Sequence, residues 1–380
     1  MAFQDDPAND EKVRFMNNLL FYITGHGYGH FVRTFDVIKH LLTARPDIVC
    51  HVKTTTPVWL TRHQDIERVH FYHEAMDVGA IQENSFSVKI KATLEAYADL
   101  VARKPILITN EIRFIRENEI RLVVGDIPPF AFDAAHQSGV PGIAIGNFSW
   151  DWIYQPYADE FPQHRFLIDE IRQSYSRADL LLRLPAAGDM SAFRRIEDIP
   201  LIARRSVRQK QDVLAKLELG ADFAQKIILL ALRNHDLTRM DTNLWKTYER
   251  YLFVIPDTAF SLDKNILTIP ADFCLFEDLI MASDLVVSKP GYGIVSGCIA
   301  NRTPLLYTSR DDFAEYDMLH YYIQQNMPAI FVPREDFIYG KWVEAISFKR
   351  LNEQSWSEVA IDGTEKAAAR ICSILDNVGS

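Results

Sequence analysis

The sequence predicts an α/β protein of two doubly wound lobes, each a mostly parallel sheet covered by helices on both faces. Three observations carry that expectation. Short apolar runs alternate with amphipathic stretches along most of the chain, the pattern of strands buried on both faces and joined by crossover helices. At 380 residues the chain exceeds what one hydrophobic core comfortably serves. A strand, a glycine turn and a helix also follow one another twice, near residue 25 and near residue 290.

Residues 18–24 read as the first strand, leading into Gly25-His-Gly-Tyr-Gly-His30; Phe31, Phe35, Ile38 and Leu42 then recur at helical spacing. Strands are expected at 47–53 and 68–72, a long helix at 87–118, a buried strand at 119–125, a helix at 130–137 and a strand at 142–146. A less regular, Arg-rich stretch covers 184–208. Residues 226–232 restart the pattern, so the lobes are placed at 1–205 and 206–380. In the second lobe strands are expected at 251–255, 265–269, 284–288, 304–307 and 329–332, with helices at 274–282, 293–300 and 316–324. The last helix, 364–375, is compatible with packing on either lobe.

Composition narrows the function. With 41 basic and 51 acidic residues the formal charge is −10, a field that repels nucleic acid. Cys50, Cys274, Cys298 and Cys372 are scattered, with no paired spacing, which points to a reduced, cytoplasmic setting. The first ten residues are acidic where a secretion signal is basic, and no run of 18 apolar residues suggests a transmembrane segment. Peripheral contact with a membrane stays compatible with this composition.

The first glycine loop lies at a strand exit, where doubly wound sheets place their ligands. It fails the dinucleotide fingerprint, since the third glycine position is His30, and no phosphate-loop G-K-[ST] sequence follows. His30 at a helix N-terminus is the candidate general base, because amide dipoles there disfavour imidazolium. Asp126, closing the strand Arg121-Leu-Val-Val-Gly-Asp126, is its candidate orienting partner. The alternative is that His30 caps the helix and Asp126 begins a turn at Pro128-Pro129. His26 is the weaker candidate base.

The second loop, Ser288-Lys-Pro-Gly-Tyr-Gly-Ile294, offers Gly291, the amides of Gly293 and Ile294, and Lys289 as an anion site suited to a diphosphate, or else a plain strand–helix turn. Glu315 and Asp317, after the next strand, either accept bonds from sugar or ribose hydroxyls or form a solvated helix start.

Together, Gly27-Tyr-Gly-His-Phe-Val-Arg33, Asn147-Phe-Ser-Trp-Asp-Trp-Ile-Tyr154 and Lys289-Pro-Gly-Tyr-Gly-Ile-Val-Ser296 resemble the GT-B glycosyltransferases related to family 28, and particularly the glycosyltransferase-like N-terminal region of plant L-arabinokinases. The resemblance implies two Rossmann-like domains facing a central cleft, an acceptor lobe first and a nucleotide-sugar lobe second. It implies metal-independent transfer of a sugar from a nucleotide-diphosphate donor to a small-molecule, glycan or lipid-linked hydroxyl acceptor, with no other cofactor. Gly27, Gly29, His30 and Arg33 are also similar to the loop of a nucleotide-sugar hydrolase, so a hydrolase or epimerase is the alternative, and a noncatalytic sugar-nucleotide binder a third. Two departures bear on the donor side. Gly297 stands where family 28 proteins carry a ribose-binding Glu, and the first strand of the second lobe runs into Ala231-Leu-Arg-Asn-His235, where Arg233 is the candidate phosphate contact. Phe148, Trp150, Trp152 and Tyr154 suit either stacking on sugars or packing.

Overall fold

The computed structural model describes residues 16–57, 67–84, 86–220, 223–257 and 259–378; the acidic first ten residues lie outside them. The first sheet holds β1 (Asn17–Ile23), β2 (Ile48–Thr54), β3 (Val69–Tyr72), β4 (Ile120–Asp126), β5 (Gly142–Gly146), β6 (Leu180–Arg183) and β7 (Ile196–Asp198) in the order β3-β2-β1-β4-β5-β6-β7. All its pairings are parallel. The order reverses between β1 and β4, which opens a crevice at their carboxyl ends. The register sets Ile23 opposite Asp126, so the end of β4 lies beside the glycine turn that follows β1.

The second sheet holds β8 (Lys226–Leu230), β9 (Tyr251–Asp257), β10 (Ser261–Asp263), β11 (Ile266–Pro270), β12 (Leu285–Val287), β13 (Leu305–Tyr307) and β14 (Ala329–Phe331), ordered β10-β11-β9-β8-β12-β13-β14. Only β10 is antiparallel. Its switch point lies between β8 and β12, whose following loops carry Arg233 and Lys289. The sequence left out the helices Trp150–Glu160 and Phe166–Tyr175 and the strand β6. The first of these buries Trp150, Ile153, Tyr154, Tyr157 and Ala158 at helical spacing, but it carries Pro156, a residue that argues against a helix interior.

The chain passes between the sheets twice, and the two passages are bonded to each other. The amide of Leu201 donates to the Ala360 carbonyl (3.2 Å), that of Gly363 to the Leu201 carbonyl (3.1 Å), and Ile202 and Asp362 form an antiparallel bridge. The helix Gly363–Asn377 then packs on α1 (Tyr28–Ala44) of the first lobe, burying Ala367, Ala368, Ile371 and Leu375, with Arg45 paired to Asp376 at 2.9 Å.

Each lobe also plants an aromatic ring in the other. Phe86, from the loop after β3, lies in the second lobe's apolar cluster against Phe337, and its carbonyl accepts from the Asp311 amide (3.2 Å). Phe313, after β13, lies in the first lobe's cluster against Phe148 and His26. The Tyr157 hydroxyl donates to the Asp312 carbonyl alongside. The lobes are therefore held closed over the crevice.

Candidate functional site

His30, Arg33 and Thr34 occupy one face of α1 because residues three and four apart stack along a helix, and that face meets the end of β4. The Asp126 carboxylate is fully buried there and all its bonding capacity is used. Its Oδ1 accepts from His30 Nδ1 (2.8 Å) and Arg33 Nη2 (2.6 Å), its Oδ2 from Arg33 Nε (2.8 Å) and Thr34 Oγ1 (2.6 Å). Burial alone raises a carboxyl, but Arg33 and His30 outweigh it and hold Asp126 well below the usual carboxylate range. Arg33 Nη2 also stands 3.0 Å from Nδ1, but it already donates to Oδ1, and a bare Nδ1 lone pair would repel the carboxylate oxygen at 2.8 Å, so this pairing favours the proton on Nδ1 with the Nε2 lone pair unengaged by Asp126.

Arg33, which with Gly27 and Gly29 the resemblance marks as a nucleotide-sugar contact, is instead buried with its donors spent inside the protein: Nη1 donates to Asn147 Oδ1 (2.9 Å). Asn147 Nδ2 in turn donates to Glu315 Oε1 (2.8 Å), which carries the chain of bonds across the lobe junction. Glu315 is buried in this link, so the expected ribose or sugar contact does not fit it; Asp317 stays exposed in the first turn of its helix. The expected free amide of Ile294 is also corrected, since it donates to the Gly291 carbonyl (3.0 Å).

The two glycine loops meet face to face. A Cβ built on Gly29 would lie 3.9 Å from the Gly293 amide nitrogen, and one on Gly293 3.6 Å from Gly29 Cα. Gly293 is exposed at the start of the helix Tyr292–Asn301, for which Gly291 is the N-cap, and Gly27 holds φ 88° ahead of α1. Arg233 is exposed after β8. Lys289 is half-buried, and burial, then Arg310 and Arg233, pull its ammonium down to about 7, against an opposing pull from Asp236.

His26 is not a base here. Its Nδ1 accepts from the Ala80 amide (3.2 Å), which leaves the proton of the neutral ring on Nε2. Burial, then Arg310, His30, Lys289 and Arg233, hold its pKa well below normal. The aromatic signature resolves as packing for Phe148, Trp150 and Tyr154, which are buried; Trp152 lies against Gly188. Two groups escaped the sequence reading. Asp77, after β3, accepts from Trp150 Nε1 (3.1 Å), and burial pushes its carboxyl up to about 6 near His30. Arg310 rests its guanidinium over the Phe313 ring at 4.3 Å.

Among solved structures, CalG4, the calicheamicin glycosyltransferase, aligns over 96% of this chain and 100% of its own with a TM-score of 0.58 at 15% identity. A UDP-glucosyltransferase from Polygonum tinctorium, solved with 3,4-dichloroaniline, aligns over 96% and 94% with a TM-score of 0.59 at 10% identity. This chain has the GT-B fold. MurG of Acinetobacter baumannii shares the GT-B architecture with a TM-score of 0.54 at 10% identity, over 94% and 99% of the two chains. L-arabinokinase of Arabidopsis thaliana is 30% identical over 352 residues, 92% of this chain. The GT-B chain spans about a third of that relative's length, 33%. No family model matches. Among the described residues no helix is long and apolar enough to cross a membrane.

Proposed function

We propose that the protein transfers a glycosyl group from a nucleotide-diphosphate sugar to a hydroxyl acceptor without a metal, His30 acting as general base. The observation that carries this reading is the His30–Asp126 pair at the GT-B crevice, one loop away from the cationic turn of the other lobe. His30 Nε2 takes the acceptor hydroxyl proton while Asp126 holds the ring and stabilises the imidazolium that forms. The acceptor oxygen bonds to the anomeric carbon as the bond to the diphosphate breaks. Lys289, Arg233 and the helix start at Gly293 take up the departing charge. The test is titration with UDP, GDP, dTDP and their sugars, followed by turnover of whichever donor binds. Absence of binding by all of them would sink the proposal.

Hydrolysis of the same donor is the second reading, favoured by the closure that Phe86 and Phe313 impose, since water is the smallest acceptor. Release of free sugar at one rate with and without added acceptors would decide for it. Cytoplasmic residence follows from neither reading and is proposed only on cysteine usage.

A further inference from the structure

We propose that Arg310, on the loop after β13, is the main cation for the donor's diphosphate, with Lys289 and Arg233 as its neighbours. The proposal rests on the nucleotide-sugar reading above and adds a residue outside both glycine turns.

Four features of the structure lead to it. Arg310 Nε is buried and has no hydrogen-bond partner among the described residues, and a buried donor left unpaired costs free energy that a ligand acceptor would recover. The guanidinium rests over Phe313 at 4.3 Å, and that ring is fixed in turn against His26 and Phe148, which limits where the fork of donors can lie before any ligand arrives. Lys289 feels both Arg310 and Arg233, and His26 feels all three, which brings cations from the loops after β8, β12 and β13 to one place at the second sheet's switch point. Finally, the two carboxylates whose pull on this cluster is evident also serve other groups. Glu315 opposes Arg310 but already accepts from Asn147, and Asp236 opposes Lys289. Arg310, Lys289 and Arg233 converging in a half-buried crevice favour a ligand carrying more than one negative charge. A diphosphate does so, and its two phosphoryl groups can meet a planar fork and an ammonium together.

A purely structural role, in which Arg310 only steadies Glu315, is separated by calorimetric titration of inorganic pyrophosphate, UDP, GDP and dTDP into the wild-type protein and Arg310→Gln. The expected result is affinity for pyrophosphate and at least one nucleotide, weakened about tenfold or more in the variant, in line with loss of a charged hydrogen bond. Unchanged affinity in a folded Arg310→Gln protein overturns the assignment and leaves the donor reading intact. Wild-type protein that binds pyrophosphate but no nucleotide overturns the donor reading and leaves the Arg310 site standing; binding of neither overturns both. Should Arg310→Gln fail to fold, Arg310→Met keeps an apolar stem beside Phe313 without the charge, and an unchanged affinity there overturns the assignment equally.

Discussion

Asp126 does two jobs that different substitutions separate. It orients His30, and it is the only carboxylate paired with the buried Arg33 among the described residues. Asp126→Asn is expected to cost about 3–5 kcal/mol by leaving that guanidinium uncompensated, read as a lower denaturant midpoint. His30→Ala leaves the Arg33–Asp126 pair in place, so donor affinity is expected to hold while kcat falls about 10²–10⁴-fold, the usual share of a general base. Lys289 yields a pH prediction. It faces Arg310, Arg233 and Asp236, with His26 close by, and its ammonium loses its proton through about 7. The cation is present below that pH and lost above it, so affinity for a nucleotide sugar should fall about tenfold between pH 6 and pH 8. A flat titration series across that window would contradict the assignment. His30 and Asp126 were readable from sequence because each closes a local pattern, a glycine turn into a helix and an apolar strand, and a parallel sheet brings such ends together. Arg310 was not. It sits in Ser309-Arg-Asp-Asp312, which reads as a solvated charged loop, and it is sheltered beside Phe313 where that ring enters the other lobe.

At the scale of elements, the helix Tyr292–Asn301 shows why the family 28 pattern departs at Gly297. A Cβ there would meet the terminal methyl of Ile280, on the neighbouring helix Phe276–Ala282, at 2.9 Å, so a small side chain needs that methyl to swing aside and a Glu needs more. Gly297→Glu is therefore expected to destabilise by about 1–3 kcal/mol through overpacking and to bring no gain in nucleotide affinity. Melting and titration of the one variant read both. Gly27 is constrained differently. Its φ of 88° turns the chain into α1, and an alanine there is expected to cost about 1 kcal/mol although nothing lies within 4 Å of the new methyl. Most strands were legible from their apolar runs, though β6, β7 and β10 were not, and the helix Trp150–Glu160 was hidden although its buried residues recur at helical spacing, because Pro156 and the aromatic run mask that period.

For the whole molecule, the exchanged rings make closure a measurable equilibrium. Phe86→Ala removes a buried ring from the second lobe's cluster, and up to about 3 kcal/mol of what holds the lobes together goes with it. The variant is expected to show a larger radius of gyration in solution scattering and faster proteolysis within 81–89. Unchanged scattering and cleavage would mean that closure does not depend on this ring. Phe86 itself carried no warning in sequence, lying in the polar run Glu83-Asn-Ser-Phe-Ser87, where a lone aromatic reads as a surface residue.

The paired passages at Leu201–Ile202 and Ala360–Gly363 have a mechanical consequence. A single tether would let one lobe swing, twist and drift, whereas two neighbouring strands bonded side by side remove most of those freedoms. What remains is rotation about the line the two crossings define, like a door on two pins. Opening would then be widest at the edge far from the pins, and His30 and the turn at Lys289 would return to the same relative position each time the door shuts. Reproducible alignment of the proposed base on one lobe with the proposed anion site on the other would thus follow from where the chain crosses.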